Sequence, residues 1–504
     1  MSVSQIKAGA ALNYVVIVLN ALVGFVYTPY MLHMLGQSEY GLYSLVASVI
    51  SYLTIMDFGF GNAIIRYTAK FRAEGKTQEQ FSMFGMFLVI YAAIGLLAVV
   101  AGLVLFFNVD TMFGDTMTTY ELGRAKIMML ILTLNLAFTF PFSVFGSIIT
   151  AYEDFVFQKS VQIIRILLNT AVMVCLLKMG YKAIAMVVVQ TVFNVLTLLI
   201  NLFYCRYKIR IKFLFSKVDW SFLKEIVIYS FWIFLNIIMD KIYWSSGQFI
   251  LGAVSGTVAV AVYAVAIHLE GMYMTFSTAI SSVFLPKISG MVARNESDAT
   301  ISDLFIRTGR IQFIVLAFVF SGFIVFGQQF IDLWAGKDYA DAYLISLLFL
   351  GALLVPLVQS LGITILQARN QMMFRSLLYV SIAAVSLVAQ VLLSKKYGGI
   401  GCAVAISGAL VIGQGLIMNI YYAVRQRIDI RRFWQEILKM SIIPVLMTTL
   451  GLFVTRRMAF PGAGTLALEI LAYSLLYVPL FWTLSMSDYE RMLIAAPLRK
   501  LFKK

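Results

Sequence analysis

The 504-residue chain contains few charged residues for its length. Asp, Glu, Lys and Arg make up 12% of the sequence, hydrophobic residues make up 61%, and the mean hydropathy is +0.90. A soluble fold of this length needs far more polar surface. The composition therefore excludes a soluble globular protein and indicates an integral membrane protein.

Cysteines are rare, and nucleotide-binding motifs are missing. The three cysteines, Cys175, Cys205 and Cys402, are scattered, and the sequence has no Cys-x-x-Cys pair or Cys/His cluster. Neither a disulfide framework nor a metal site is therefore expected. The sequence also lacks a Gly-x-x-x-x-Gly-Lys-Ser/Thr motif, so we expect neither ATP hydrolysis by this chain nor a bound cofactor, although an ion or proton gradient could supply the energy for transport.

Long apolar runs fill most of the chain. Fourteen nearly uncharged runs, from 11–35 to 464–486, have 16 or more residues and approach the roughly 20 that a bilayer core requires. Such spans must be helices, because lipid satisfies no backbone polar group. The predicted fold class is an all-α integral membrane protein with about 14 transmembrane helices. The connecting loops are too short for a soluble catalytic domain, so we predict a protein that is not an enzyme.

The net charge of +15 is distributed with a strong bias along the chain. Of the 39 Lys and Arg residues, 28 fall in alternate connecting segments that begin with the N-terminus, and nine fall in the opposite set. Arg165 and Lys241 lie inside spans. This distribution is the positive-inside pattern, which predicts that both termini are cytoplasmic. The basic residues are therefore explained by membrane topology and by attraction to anionic lipid, and no nucleic acid partner is expected.

A weak internal repeat divides the chain. GQSEYGLYSL at 36–45 aligns with GTVAVAVYAV at 256–265, an offset of 220 residues, and both stretches lie on the predicted outer side. Six predicted helices separate the copies, so both copies run in the same direction through the membrane, as in transporters whose two bundles are related by a pseudo-two-fold along the membrane normal. The predicted organisation is an N-terminal six-helix bundle, a basic cytoplasmic linker, a second six-helix bundle, and two further helices with a basic tail. The bounds of these four parts are 1–205, 206–224, 225–423 and 424–504.

Two stretches carry a resemblance to a known family. LGQSEYGLYSL followed by DFGFGNAIIRYTAKF, within residues 35–71, resembles the start of the Wzx-type polysaccharide flippases. GAVSGTVAVAVYAVAIHLEGMYMTFSTAISSVFLPKIS is similar to the helix 7–8 region of the same family. These flippases belong to the multidrug/oligosaccharidyl-lipid/polysaccharide exporter superfamily, together with multidrug and toxin extrusion transporters and lipid II flippases.

The resemblance implies a function in surface polysaccharide biosynthesis. It implies that a polyprenyl-pyrophosphate-linked oligosaccharide moves from the cytoplasmic to the outer leaflet of a bacterial cytoplasmic membrane by alternating access. Cationic residues in an aqueous cavity between the bundles would hold the pyrophosphate, and the polysaccharide polymerase machinery is an expected partner besides membrane lipids. One alternative is a multidrug or cation exporter of the same superfamily, whose cavity should be acidic. A membrane polymerase or ligase is disfavoured, because the chain lacks a long outer loop with catalytic Arg or His residues.

The stretch NIIMDKIYWSSGQFILG, residues 236–252, places Asp240 and Lys241 inside an apolar run. An intramembrane charge costs at least a few kcal/mol, so it usually has a partner or a function. At about 100° per residue, these two residues share one helix sector with Trp244 and Gln248. The four side chains are predicted to line the cavity and bind substrate. In the competing interpretation, an ion pair to a neighbouring helix fixes the packing.

Two carboxylates are candidates for energy coupling. Glu270 lies near the middle of the predicted helix 8, where burial would make it a proton carrier, and it could alternatively pair with Lys241. Asp57 precedes Gly59 and Gly61, which would permit a bend or a close helix contact.

Three further cations could meet an anionic substrate. Arg165 lies about 8 Å into the predicted span 160–177, so it either extends to the membrane interface or binds pyrophosphate with its guanidinium. Arg66 and Lys70 follow on the cytoplasmic side and are candidates for recruiting head groups. The competing interpretation makes them ordinary positive-inside anchors.

Overall fold

The computed structural model describes residues 3–215, 220–281, 296–369, 371–457 and 462–501, with isolated positions between 284 and 294. Part of the predicted basic linker, 216–219, lies outside the described residues. Within these ranges the secondary structure is helical, and no strand occurs. The helices are α1 (Val3–Leu53), α2 (Phe60–Ala73), α3 (Thr77–Phe113), α4 (Thr119–Ala151), α5 (Phe155–Lys178), α6 (Ala183–Tyr204), α7 (Trp220–Trp244), α8 (Ser246–Ser281), α9 (Asp298–Trp334), α10 (Ala342–Val358), α11 (Leu361–Ala368), α12 (Met373–Leu410), α13 (Met418–Val424), α14 (Ile430–Arg457), α15 (Ala463–Leu484) and α16 (Asp488–Leu501).

Glycines interrupt three of the longest helices. Gly36 in α1 has φ 75° and ψ 170°, and Gly256 in α8 has φ 81° and ψ −175°. Gly398 in α12 also has a positive φ, of 55°. Residues with a side chain rarely adopt such angles, so glycine permits each kink. Gly36 and Gly256 are the two aligned glycines of the repeat, and they share nearly the same backbone conformation.

The described residues contain ten helical stretches long and apolar enough to cross a membrane, or eleven if the bent pair α10 and α11 forms one span. The three kinked helices are among the ten. If the bent pair forms one span and each of the three kink glycines separates two spans, the total reaches the predicted fourteen. That count stays a prediction.

The chain forms two compact units, Met1–Ala264 and Val265–Lys504. The division falls inside α8, so α7 and the first half of α8 belong to the first unit. The predicted four-part organisation describes helix bundles in the membrane, and it stays a prediction beside this division.

In the first unit, small residues let helices approach closely. α3 packs along α4, which also contacts α6, while α1 packs against α5. A Cβ at Gly102 of α3 would collide with the side chain of Thr133 on α4, and a Cβ at Gly95 would lie 3.0 Å from the Ala137 carbonyl oxygen. Small residues at helix contacts are typical of membrane bundles, in which van der Waals packing drives association.

In the second unit, α9 contacts α10, α14 and α15. Arg310 of α9, only 8% exposed, holds the final helix in place. Its Nε and Nη2 donate to the Glu490 carboxylate of α16 at 2.6 and 3.0 Å, and its Nη1 donates to Glu436 of α14 at 2.7 Å. A buried charge needs such compensation, since an unpaired one would be strongly destabilising.

One asparagine joins two irregular segments of the second unit. α10 and α11 meet at an angle of 43° next to Gln359, and Val411–Ile417 is π-helical. Gln359 and Asn419 exchange amide hydrogen bonds of 2.8 and 3.2 Å. Asn419 also donates to the Gly415 carbonyl at 2.7 Å, which satisfies an acceptor that the π-helical geometry displaces.

Candidate functional site

The chain between α1 and α2 breaks the helical path in the middle of an apolar segment. A 3₁₀ turn, Thr54–Asp57, is followed by Phe58 with φ 52° and Gly59 with φ 73°. Two consecutive left-handed residues cannot continue a helix. The bend that Gly59 permits is therefore present. We call residues 54–59 the α1–α2 break.

Asp57 lies at this break and has a buried partner. The hydroxyl of Tyr91, a residue of α3 with 0% exposure, donates to Asp57 Oδ1 at 2.7 Å. The side chain of Asp57 itself is half-buried. Discontinuous membrane helices frequently hold ions or protons, because their ends expose backbone polar groups inside the protein.

Helix α7 packs directly against the α1–α2 break. The ring of Phe58 lies 5.0 Å from that of Phe234, and a Cβ at Gly59 would lie 2.8 Å from Ile233 Cγ2. Lys241 lies eight residues beyond Ile233, about 12 Å farther along the helix axis. The first unit therefore places the carboxylate of the break and the lysine on neighbouring elements.

Lys241 is half-buried near the end of α7. Its neighbour Asp240 interacts with it electrostatically, and Lys241 forms no salt bridge with the described residues of the first unit. Asp240 is exposed and Trp244 and Gln248 are half-buried, whereas Met239 and Tyr243 are buried. The polar side chains thus lie on the less buried side of the α7–α8 segment.

Arg165 is a second half-buried cation, on α5. Helix α5 begins at Phe155, five residues before the predicted start at 160. Arg165 therefore lies about 15 Å from the helix start, rather than the predicted 8 Å. The Arg165 side chain would therefore have to extend farther to reach the membrane interface than the sequence predicts. In the part of the chain that the structure describes, no acidic side chain pairs with Arg165.

The remaining predicted residues lie elsewhere. Glu270 belongs to the second unit, where it is 3% exposed and has an interaction partner. Its predicted pairing with Lys241 stays a prediction. Arg66 and Lys70 are both exposed on α2, and the Arg66 guanidinium lies 5.8 Å from the ring of Tyr67.

Two residues that the sequence analysis did not select have clear places in the first unit. Tyr91 is the partner of Asp57, 34 positions away, and no sequence pattern connects them. Glu121 is a buried carboxylate at the start of α4. It had a recognisable signal, because Thr118-x-x-Glu121 is a capping-box pattern.

Comparisons with known proteins agree with this architecture. A family model described as "Polysaccharide biosynthesis protein" matches residues 6–292. No curated protein matches the chain. Among solved structures, the chain is similar to the lipid II flippase MurJ in an inward closed conformation, with a TM-score of 0.69 and 16% identity over 94% of this chain and 98% of that chain.

Two further structures share the fold. An inward-facing multidrug resistance MATE family transporter has a TM-score of 0.61 and 12% identity over 80% of this chain and 99% of that chain. A transporter of the same superfamily from Pyrococcus furiosus, described by a reversed polarity of its binding pocket, has a TM-score of 0.54 and 12% identity over 84% of this chain and 94% of that chain. At these identities the likeness establishes the fold. The predicted all-α membrane fold is therefore confirmed.

Proposed function

The chain belongs to the polysaccharide biosynthesis protein family, whose members are membrane flippases rather than enzymes, and from that premise we propose its cargo. The cargo is a polyprenyl-pyrophosphate-linked oligosaccharide that moves from the cytoplasmic to the outer leaflet by alternating access. The protein would then work in a bacterial cytoplasmic membrane, with both termini inside, and would supply the polysaccharide polymerase machinery.

Two half-buried cations carry this proposal. Lys241 and Arg165 are half-buried in apolar helices, and among the described residues of the first unit neither forms a salt bridge, although Asp240 lies next to Lys241 in the sequence. A cation in such a place is costly unless something compensates its charge. A pyrophosphate group supplies that compensation when the cargo is bound, and guanidinium binds phosphate oxygens in pairs. Trp244 and Gln248 lie near Lys241 in sequence and are proposed to contact the sugars.

We propose Asp57 as the site of energy coupling. Its carboxylate lies at a discontinuous helix and contacts α3 through Tyr91, while the same break contacts α7 through Phe58. Binding a proton or a sodium ion would remove the negative charge and weaken the hydrogen bond from Tyr91. The packing of α7 would then respond to the state of the carboxylate. Glu270 is the second coupling candidate, because it is buried within a membrane helix.

Arg66 and Lys70 are proposed to attract the anionic head group on the cytoplasmic side. Both side chains are exposed on α2, about two and three turns beyond the α1–α2 break. Charges this exposed act over about a Debye length, roughly 8 Å at physiological salt. Their contribution should therefore fall as ionic strength rises.

The alternative cargo is a cationic drug, which the similarity to MATE transporters also fits. A site for cations should present carboxylates to its ligand. Lys241 and Arg165 would repel such a ligand, and we therefore favour the anionic cargo.

The deciding experiment deletes the gene and follows lipid-linked intermediates. We expect complete oligosaccharide units to accumulate on the cytoplasmic leaflet, and we expect the wild-type gene to restore surface polysaccharide. Normal polysaccharide in the deletion strain, together with new sensitivity to cationic drugs, would replace the proposal with the exporter alternative. As a matched control, the exposed Lys178→Ala variant at the end of α5 should complement fully.

A further inference from the structure

The Glu121 carboxylate joins three separate segments of the first unit. Oε1 accepts hydrogen bonds from Ser38 Oγ at 2.6 Å and from Thr257 Oγ1 at 2.7 Å. Oε2 accepts from the backbone N–H and the hydroxyl of Thr118 at 2.9 and 2.8 Å. The two hydrogen bonds from Thr118 fix the orientation of the carboxylate at the start of α4. The other oxygen connects α4 to segments of α1 and α8.

Both of these segments lie beside the kink glycines. Ser38 comes two residues after Gly36, and Thr257 directly follows Gly256. At the same place a Cβ at Gly41 would collide with the carbonyl oxygen of Thr257, so only glycine allows this approach. We call this contact the outer seam, because the topology predicts that it faces outward. It consists of Ser38, Gly41, Thr116 and Glu121 on one side and Gly252 and Thr257 on the other.

The outer seam combines polar hydrogen bonds with a close apolar contact, in which the Leu45 side chain of α1 packs against Gly252. Besides the Glu121 contacts, Thr116 Oγ1 donates to the Gly252 carbonyl at 2.6 Å. Opening the seam therefore breaks these hydrogen bonds and separates the buried Leu45 side chain from Gly252. Hydrogen bonds to an ionised carboxylate are about twice as strong as neutral ones, so Glu121 should dominate its strength.

We propose that Glu121 is a latch that holds the α8 kink against α1 and α4, and that its bond to Thr257 breaks when the outer side opens. The inference rests on the proposed transport by alternating access, although not on the identity of the cargo. The latch makes outward opening a discrete event, because the seam is either bonded to the carboxylate or separated from it.

A purely structural role for Glu121 would have a different basis, namely the capping of α4. The two roles use different oxygens, so they can be separated by mutation. Thr257→Val removes the donor from α8 and leaves the cap intact. Thr118→Val removes a hydroxyl from the cap and leaves the bonds to Ser38 and Thr257 in place.

The test measures access to the outer seam with a cysteine reporter. Ser44 lies three residues beyond Gly41 on α1 and is buried. The reporter is Ser44→Cys in a background in which Cys175, Cys205 and Cys402 are replaced by serine. A membrane-impermeant maleimide is added to right-side-out vesicles, and the labelling rate is compared among variants with matched thermal stability.

We expect the Thr257→Val and Glu121→Gln variants to label about tenfold faster than the parent, the factor that corresponds to about 1.4 kcal/mol. Thr118→Val should label within about twofold of the parent, less than half of a kcal/mol on the same scale. If Thr257→Val does not assemble, Ser38→Ala removes the other donor to Oε1 and should behave alike. The latch proposal would be overturned if Thr257→Val, or Ser38→Ala in its place, labelled at the rate of the parent. It would also be overturned if Thr118→Val accelerated labelling as much as Thr257→Val does. Labelling needs no cargo, so this result could still be interpreted if the proposed cargo were wrong.

Discussion

Removing the charge of Lys241 should slow translocation sharply. The perturbation is a pair of variants, Lys241→Ala and Lys241→Arg, expressed in a deletion strain next to the Lys178→Ala control. Lys241 is half-buried and forms no salt bridge within the described part of the first unit, whereas Lys178 is exposed at a helix end. The alanine variant removes the cation, and the arginine variant keeps it with a different shape.

The expected magnitude follows from the environment of Lys241. Two unit charges about 4 Å apart interact by about 4 kcal/mol at an effective dielectric constant of about 20. Desolvation of the lysine and the pyrophosphate offsets part of this energy, and hydrogen bonds to charged groups contribute about 1.5–3 kcal/mol net. That range corresponds to a roughly 10- to 150-fold lower rate for Lys241→Ala. Lys241→Arg keeps the charge, so it should lose no more than about tenfold.

The assay compares the fraction of lipid-linked oligosaccharide that reaches the outer leaflet at equal amounts of membrane protein. Surface polysaccharide on whole cells provides a second readout. The reasoning would be refuted if Lys241→Ala supported wild-type translocation. It would equally be refuted if the alanine and arginine variants were impaired to the same degree, since shape rather than charge would then decide.

Three further predictions concern other buried polar groups. Arg165→Ala should reduce translocation about tenfold or more while Arg165→Lys retains part of it, measured in the same leaflet assay; equal loss in both would contradict simple charge recognition. Asp57→Asn should abolish transport driven by an ion gradient in vesicles. Tyr91→Phe should alter the ion dependence of transport while leaving folding intact. An unchanged ion dependence of transport in both variants would exclude coupling at the α1–α2 break. Arg310→Ala should destabilise the detergent-solubilised protein by about 3–5 kcal/mol, seen as a lower thermal midpoint, because it leaves Glu490 buried at 2% exposure. Adding Glu490→Gln should recover part of that loss, and no recovery would contradict the ion-pair account.

Much of the fold was predictable because membrane insertion depends on local composition. Each apolar run transfers into lipid with a free energy that is summed along that run alone, so the runs could be identified without tertiary contacts. The glycines of the repeat were also visible, because Gly36 and Gly256 occupy aligned positions. Their matching positive φ angles give that alignment a structural basis.

The candidate site was predictable only in part. Lys241, Arg165 and Asp57 were selected because an intramembrane charge is unusual in any sequence. The start of α5 was misplaced by five residues, because Gln158 and Lys159 interrupt the apolar run although the helix includes them. Helix ends depend on capping and neighbouring contacts, which hydropathy does not measure.

The amino-acid sequence by itself determined the membrane class, the helical fold and the presence of unusual charges, because burial in lipid is decided segment by segment. Only the tertiary structure decided which polar groups meet. Asp57 reaches Tyr91 across 34 positions, Glu121 reaches Thr257 across 136, and Arg310 reaches Glu490 across 180. Such pairs form because a buried polar group requires a partner within about 3 Å, and the packing of whole helices determines which partner is available.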